Sequence, residues 1–388
     1  MNLNYLKKNF LNIYIVCIFF SSSIILYSKF LYPTDWTTSE WLINYHGGFV
    51  RRGLVGELLL QINKFININP RYLVYIFEIL LLSSYYYLII KFFKKIKFSP
   101  ILILIIFSPL AFIYPVAETE TLARKEILLF CIYIIFLFSL ISKNLKLTFF
   151  VIIILIPLMN LIWDGILFYI PFFIFAFINQ DNNLKLKKLM YFLLSFVPYL
   201  ITTYILLYTR ATEESLLLMC EAIKEPCFGS MSFLDQPLSN NINYVVSLFK
   251  VEYLIRYSFI FIICFYPIFN LLNKNKNKNI ILAQYTICVL PTFLLFYIGS
   301  DWGRYLNILY IFSLLTIIFF IKKKIINDTK NNLNKFFKKL INNKKNKLIF
   351  LLFFLYLFSW NPKAIMSDDI GSLPYIRIID NILELTIF

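Results

Sequence analysis

The stretch Asn44–Gln61, NYHGGFVRRGLVGELLLQ, concentrates the residue types of this chain that could do chemistry. It holds the single histidine, His46, the adjacent arginines Arg51 and Arg52, and four of the nine glycines, Gly47, Gly48, Gly53 and Gly56. Glycine lets a backbone turn tightly and come close to a ligand, and a guanidinium offers a planar fork that fits two phosphate oxygens. The natural partner of such a pair is a phosphate or a diphosphate. The competing reading is an interfacial loop whose arginines snorkel to lipid phosphates. Paired arginines among glycines, beside the only histidine, favour the substrate anion.

Other charged groups recur at the ends of apolar runs. GSDWGRY (Gly299–Tyr305) offers Asp301 and Arg304, either an i,i+3 salt bridge or a second phosphate contact. ETETLARKE (Glu118–Glu126) places Glu120 and Arg124 four apart, where a helix would put them on one face. Asp35 and Glu40 follow the first apolar run, and a carboxylate there could take a proton from a sugar hydroxyl. Asp164, in Trp163-Asp164-Gly165, reads first as a helix cap and second as a catalyst. Glu78 falls inside an apolar run, where an ionisable group invites a functional explanation.

The elements that position these groups are membrane helices. Hydrophobic residues make up 60% of the chain and aromatics 19%, and mean hydropathy is +0.73, beyond the soluble norm of about 45–50% apolar. The pattern predicts an all-α polytopic bundle of about eleven spans (ten to twelve). They fall near 10–32, 71–92, 98–116, 126–142, 147–163, 165–180, 189–208, 256–272, 280–299, 306–321 and 348–360. Residues 1–388 form one membrane domain with an outer loop at 33–70, a larger one at 209–244 and a basic connector at 322–347. Leu54–Ile68 shows helical spacing of apolar residues and predicts an interfacial helix. The N-terminal run is too long for a signal peptide and reads as an uncleaved first span.

Of the 30 lysines, 24 lie in the six segments that are cytoplasmic if the N-terminus is inside. None of the eight arginines does, and of the 21 carboxylates only Asp181 and Asp328 do. Lysine therefore carries the topological charge, whereas arginine gathers on the far side. A net charge of +17 so distributed points to a membrane rather than to nucleic acid. Cys17, Cys131, Cys264 and Cys288 fall in apolar runs as small core residues, and Cys220 and Cys227, seven apart in an outer loop, read as a disulfide. There is no phosphate-binding P-loop, dinucleotide fingerprint or metal-ligand spacing. An enzyme of this kind needs a donor already energised and already in the membrane, and a polyprenyl-diphosphate sugar meets that need because arginines can stabilise the departing diphosphate.

In span number, in its one larger outer loop and in its outer arginines Arg51, Arg52, Arg124, Arg210 and Arg304, the chain resembles the Wzy-type O-antigen or capsule repeat-unit polymerases. It also resembles the wider GT-C glycosyltransferases, whose first outer loop carries an acidic residue, a place held here by Asp35 or Glu40. The resemblance implies an inverting transfer on the periplasmic face of a bacterial inner membrane, with the N-terminus cytoplasmic. A growing glycan leaves its polyprenyl diphosphate and joins a hydroxyl of the next lipid-linked unit. Asp35, His46, Glu120 and Asp301 are then the candidate catalytic groups, and Arg51, Arg52, Arg124 and Arg304 the diphosphate ligands, with no metal and no cofactor. The implied partners are the lipid-linked donor and acceptor, the bilayer and a chain-length regulator. The alternatives are a GT-C transferase using a polyprenyl-phosphate sugar and a lipid-linked oligosaccharide flippase. A flippase needs charge at several depths, whereas charge here gathers at the outer rim.

Overall fold

A computed structural model describes residues 3–31, 36–181, 185–224, 229–275, 277–326 and 344–384. Asp35, Cys227 and residues 327–343 of the basic connector lie outside the described residues. The chain is a helical membrane protein. Among the described residues, seven helices are long and apolar enough to cross a bilayer: Asn9–Leu31, Pro70–Phe93, Leu145–Ile162, Leu186–Tyr208, Val251–Leu272, Lys278–Ile298 and Trp302–Lys322. Each coincides with an expected span.

The other four expected spans take a different form. Glu126–Ile141 and Lys344–Phe358 are helices of 16 and 15 residues, and Asp164–Asn179 opens with a 3₁₀ segment, Asp164–Tyr169. The region expected to span at 98–116 is not one helix. Pro100–Ile106 forms a short helix, turns follow, and Tyr114–Ala117 forms a single further turn. Pro109 explains the break, since it lacks a donor and disfavours helix at the residue before it. Irregular backbone at membrane depth is tolerated only where protein satisfies its polar groups. That condition is met here: Tyr310 donates to the carbonyl of Ile105 at 2.9 Å, and Asn307 Nδ2 donates to the carbonyl of Leu110 at 2.9 Å.

Both donors come from Trp302–Lys322, the helix around which the bundle is built. In its apolar window 83% of residues are buried, against 22–44% in the other six long helices, which keep a lipid-facing side. It packs on Glu126–Ile141, Val251–Leu272 and Lys278–Ile298, while Pro70–Phe93 joins the N-terminal helix to Glu126–Ile141. Interhelical hydroxyl pairs fix the register, with Tyr133 and Thr316 at 2.7 Å and Tyr285 donating to Ser313 at 2.8 Å. In lipid such hydrogen bonds and close packing, rather than the hydrophobic effect, hold helices together.

The only strands among the described residues are Trp360–Asn361 and Gly371–Ser372, an antiparallel ribbon pairing Trp360 with Ser372 and Asn361 with Gly371. The ribbon closes a C-terminal strap that Glu118 holds down. Its carboxylate accepts from Arg377 Nη1 and from Asn361 Nδ2, and takes the backbone N–H of Ala364 at 3.3 Å. Cys131, Cys264 and Cys288 are buried and free as expected, but Cys17 is free and exposed on the outside of its helix. Cys220 is disulfide-bonded.

Candidate functional site: a two-tier cluster of ion pairs

The outer tier is built on the HGGFVRRG loop. Arg52 stands in the left-handed region, φ 67°, and donates from Nε to Asp164 Oδ1 at 2.7 Å. Its terminal Nη2 approaches the same oxygen at 2.6 Å. Arg51 Nη1 lies 3.7 Å from Asp164 Oδ2, and its Nη2 donates to the carbonyl of Phe233 at 3.4 Å. Asp164 is thus more than a helix cap: it is the carboxylate on which both loop arginines converge. Roughly a third of each arginine side chain remains exposed.

The inner tier is buried. Arg124 Nε donates to Glu40 Oε2 at 3.1 Å. Arg304 bridges two carboxylates, Glu126 Oε1 at 2.5 Å and Asp301 Oδ2 at 2.6 Å. Arg124 and Arg304 keep only 10% and 9% of their side chains exposed, so the bulk of each guanidinium faces protein. Among the described residues, Glu40 Oε1 and Glu126 Oε2 have no hydrogen-bonding partner. A buried charge of this kind is tolerated only when an opposite charge stands against it. Burial by itself would raise the Glu40 carboxyl, but Arg124, then Lys125, Arg304 and Arg52 bring it down to about 2. Burial lowers the Lys125 ammonium to about 7, with Glu40 opposing the shift.

Several expected groupings change. ETETLARKE is not a continuous helix: a 3₁₀ turn at Thr119–Thr121 is followed by Ala123 at φ 56°. Glu120 and Arg124 therefore do not pair through their side chains. Arg124 reaches Glu40 instead, touching Glu120 only through its carbonyl at 3.5 Å, while Glu120 lies 3.9 Å from Lys29. Of the two readings of Asp301 and Arg304, the i,i+3 salt bridge is formed. His46 is exposed and its side chain does not join the cluster. Gly47 does bring backbone close, but to protein: a Cβ there would sit 2.1 Å from the carbonyl oxygen of Ser215 in helix Glu213–Ile223.

Sequence reasoning missed Glu126 and Lys125 as members of the cluster. Their signal was the run Arg124-Lys125-Glu126 at the mouth of an apolar helix, where three consecutive charges exceed what an end cap needs. A pocket adjoins the inner tier, bordered by Glu126, Arg304 and Asn307 on its polar side and by Tyr85, Phe112 and Ile308 elsewhere.

The chemical capacity of the arrangement follows from its exposure. The outer tier has two cations around one carboxylate, reachable from water, and can exchange that carboxylate for an anionic ligand. The inner tier is a fixed electrostatic base beneath it. Among the described residues, no group of His, Cys, Asp and Glu side chains could hold a metal ion. Comparison of the chain with protein-family models, with curated proteins and with solved structures returned no match.

Proposed function

We propose that the protein is a membrane glycosyltransferase that polymerises polyprenyl-diphosphate-linked oligosaccharide units, as in O-antigen or capsule assembly, on the periplasmic face of a bacterial inner membrane. The observation that carries this reading is the partly exposed pair Arg51 and Arg52 converging on the single carboxylate of Asp164. A diphosphate offers the same bidentate oxygens to the same guanidinium groups with more charge. Arg51 is its first contact, because its own contacts are the longer ones, at 3.7 and 3.4 Å. In the transfer, an acceptor hydroxyl attacks the sugar carbon, the bond to the diphosphate oxygen breaks, and the arginines receive the leaving anion. The hydroxyl proton goes to Asp301, which is 30% exposed and tied to Arg304 through Oδ2.

Eleven passes accompany this reading, with the broken segment after Pro100 counted as one and the N-terminus and the basic connector cytoplasmic. An odd number agrees with the C-terminal strap, whose Arg377, Asn361 and Ala364 meet Glu118 of the loop before Glu126–Ile141. The test is glycan ladder length beside protein abundance for Arg51→Lys and Arg52→Lys separately. Lysine keeps the charge but loses the fork, so ladders should shorten or vanish at normal abundance. A lost charge-assisted hydrogen bond corresponds to roughly a ten- to hundredfold slower reaction. Wild-type ladders from both variants would return the loop to a lipid anchor, since lysine snorkels as well as arginine.

A further inference from the structure

We propose that Lys125 and Trp41 form a reciprocal tie that positions Arg52 for its anion, making both of them positioning residues of the site. This rests on the reading of Arg51 and Arg52 as the anion grip.

The geometry is mutual. Lys125 Nζ donates to the carbonyl oxygen of Arg52 at 2.9 Å. Trp41, on the chain that leads into the Arg52 loop, donates from Nε1 to the carbonyl oxygen of Ala123 at 2.8 Å. Each donor therefore fixes a carbonyl on the other's segment. Both carbonyls belong to residues that L side chains rarely allow in the left-handed region, Arg52 at φ 67° and Ala123 at φ 56°. Such conformations persist when their surroundings over-determine them. The two donors also touch each other, since Lys125 Nζ stands 5.7 Å from the Trp41 ring centre, within cation–π range. Neither side chain has measurable exposure, so neither can meet substrate directly.

The consequence falls on Arg52. Its backbone is held from the carbonyl side by Lys125, and its guanidinium is aimed at Asp164. Releasing the carbonyl lets the loop leave the left-handed conformation and carries the guanidinium away from Asp164. The charged groups that face Lys125 are Glu40 from the short helix Thr38–Leu42, Arg52 from the loop, Asp164 from the turn across the cluster, and Arg124 beside it. Two of these are anions and two are cations. The hydrogen bond to Arg52 and the contact with Trp41, rather than a net local charge, therefore fix where the amine lies.

Hydrogen exchange on the full-length protein in detergent tests the tie without any ligand. Lys125→Met and Trp41→Phe should each speed exchange about tenfold, the equivalent of one lost hydrogen bond, in both 48–56 and 119–126. Helix Trp302–Lys322 should stay protected in both variants. Faster exchange confined to the substituted residue's own segment, or no change in 48–56, overturns the proposal. Because the substitutions lie on opposite halves, failure of one variant to fold leaves the other to decide. Inorganic pyrophosphate then separates this inference from the reading beneath it. Wild-type protein should bind it, and Lys125→Met should bind it about tenfold more weakly while helix Trp302–Lys322 stays protected. If the wild type does not bind pyrophosphate, the diphosphate reading falls, and the tie stands or falls on the exchange pattern.

Discussion

Arg52 and Asp164, 112 residues apart in sequence, meet through a 2.7 Å hydrogen bond from Nε to Oδ1 that leaves about 29% of each side chain in contact with solvent. A pair that tight and that accessible is both a structural tie and a competitor for any anion that enters. The first prediction follows from that double role.

Asp164→Asn removes the competing charge while keeping the shape. The variant should lose about 1–2 kcal/mol of stability, the scale of one charge-assisted hydrogen bond near a surface. It should also bind inorganic pyrophosphate more tightly than the wild type, because Arg52 no longer has to give up a carboxylate to take a phosphate oxygen. Titration calorimetry on the detergent-solubilised protein measures this. Weaker binding would mean that Asp164 aims the arginines rather than competing for them.

The inner tier behaves differently because it is buried. Glu126→Gln leaves Arg304 with one bonded counter-charge, Asp301, and the more distant Glu40. Removing one partner of a buried pair typically costs about 3–5 kcal/mol, whereas replacing both with apolar residues is often neutral. Thermal melts should therefore rank Glu126→Gln well below the double variant Glu126→Leu with Arg304→Met. The reverse order would show that the pair is hydrated.

Two titrations act in opposite pH windows. Glu40 has a folded pKa of about 2 against an ordinary 4.5, so its stabilising contribution is complete above about pH 4.5 and is lost as pH falls toward 2. Glu40→Gln should flatten the acid limb of a melting-midpoint curve. Lys125 falls to about 7 from an ordinary 10.5. Between those values the unfolded chain binds the extra proton, so stability rises with pH from about 7 upward. Lys125→Met should remove that rise and also shrink the acid limb, because Lys125 is one of the cations that hold Glu40 down.

Gly47→Ala tests the close approach between the loop and the larger outer segment. A Cβ 2.1 Å from the Ser215 carbonyl oxygen must push backbone apart, at roughly 1–3 kcal/mol. Gly48 has open space but φ +116°, so alanine there meets backbone strain instead. Melting midpoints should fall in both, and only Gly47→Ala should raise exchange in helix Glu213–Ile223. Equal exchange in the two variants would show that the Ser215 contact yields easily.

The sequence by itself determined the class of protein and most of its helices, because both rest on local quantities. Twenty or so apolar residues in a row can satisfy their backbone in lipid only as a helix, and the seven longest runs do so where hydropathy places them. Leu54–Ile66 is a helix as its spacing requires, with Leu58, Ile62 and Phe65 exposed along it. The charged stretches singled out in the sequence do meet in the structure, Arg52 with Asp164 and Arg124 with Glu40, although Lys125 joins them. What only the tertiary structure decided was which charge meets which. Arg124 chose Glu40, 84 residues away, over Glu120, four residues away, because Ala123 turns left-handed and ends the helix that would have joined them. Arg304 reached 178 residues to Glu126, and Arg52 reached 112 to Asp164. The broken stretch after Pro100 depended in the same way on Asn307 and Tyr310, donors two hundred residues downstream. Helix formation is settled among neighbours in sequence. The pairing of buried charges and orphaned carbonyls is settled by desolvation, which acts on whatever the packed bundle brings together.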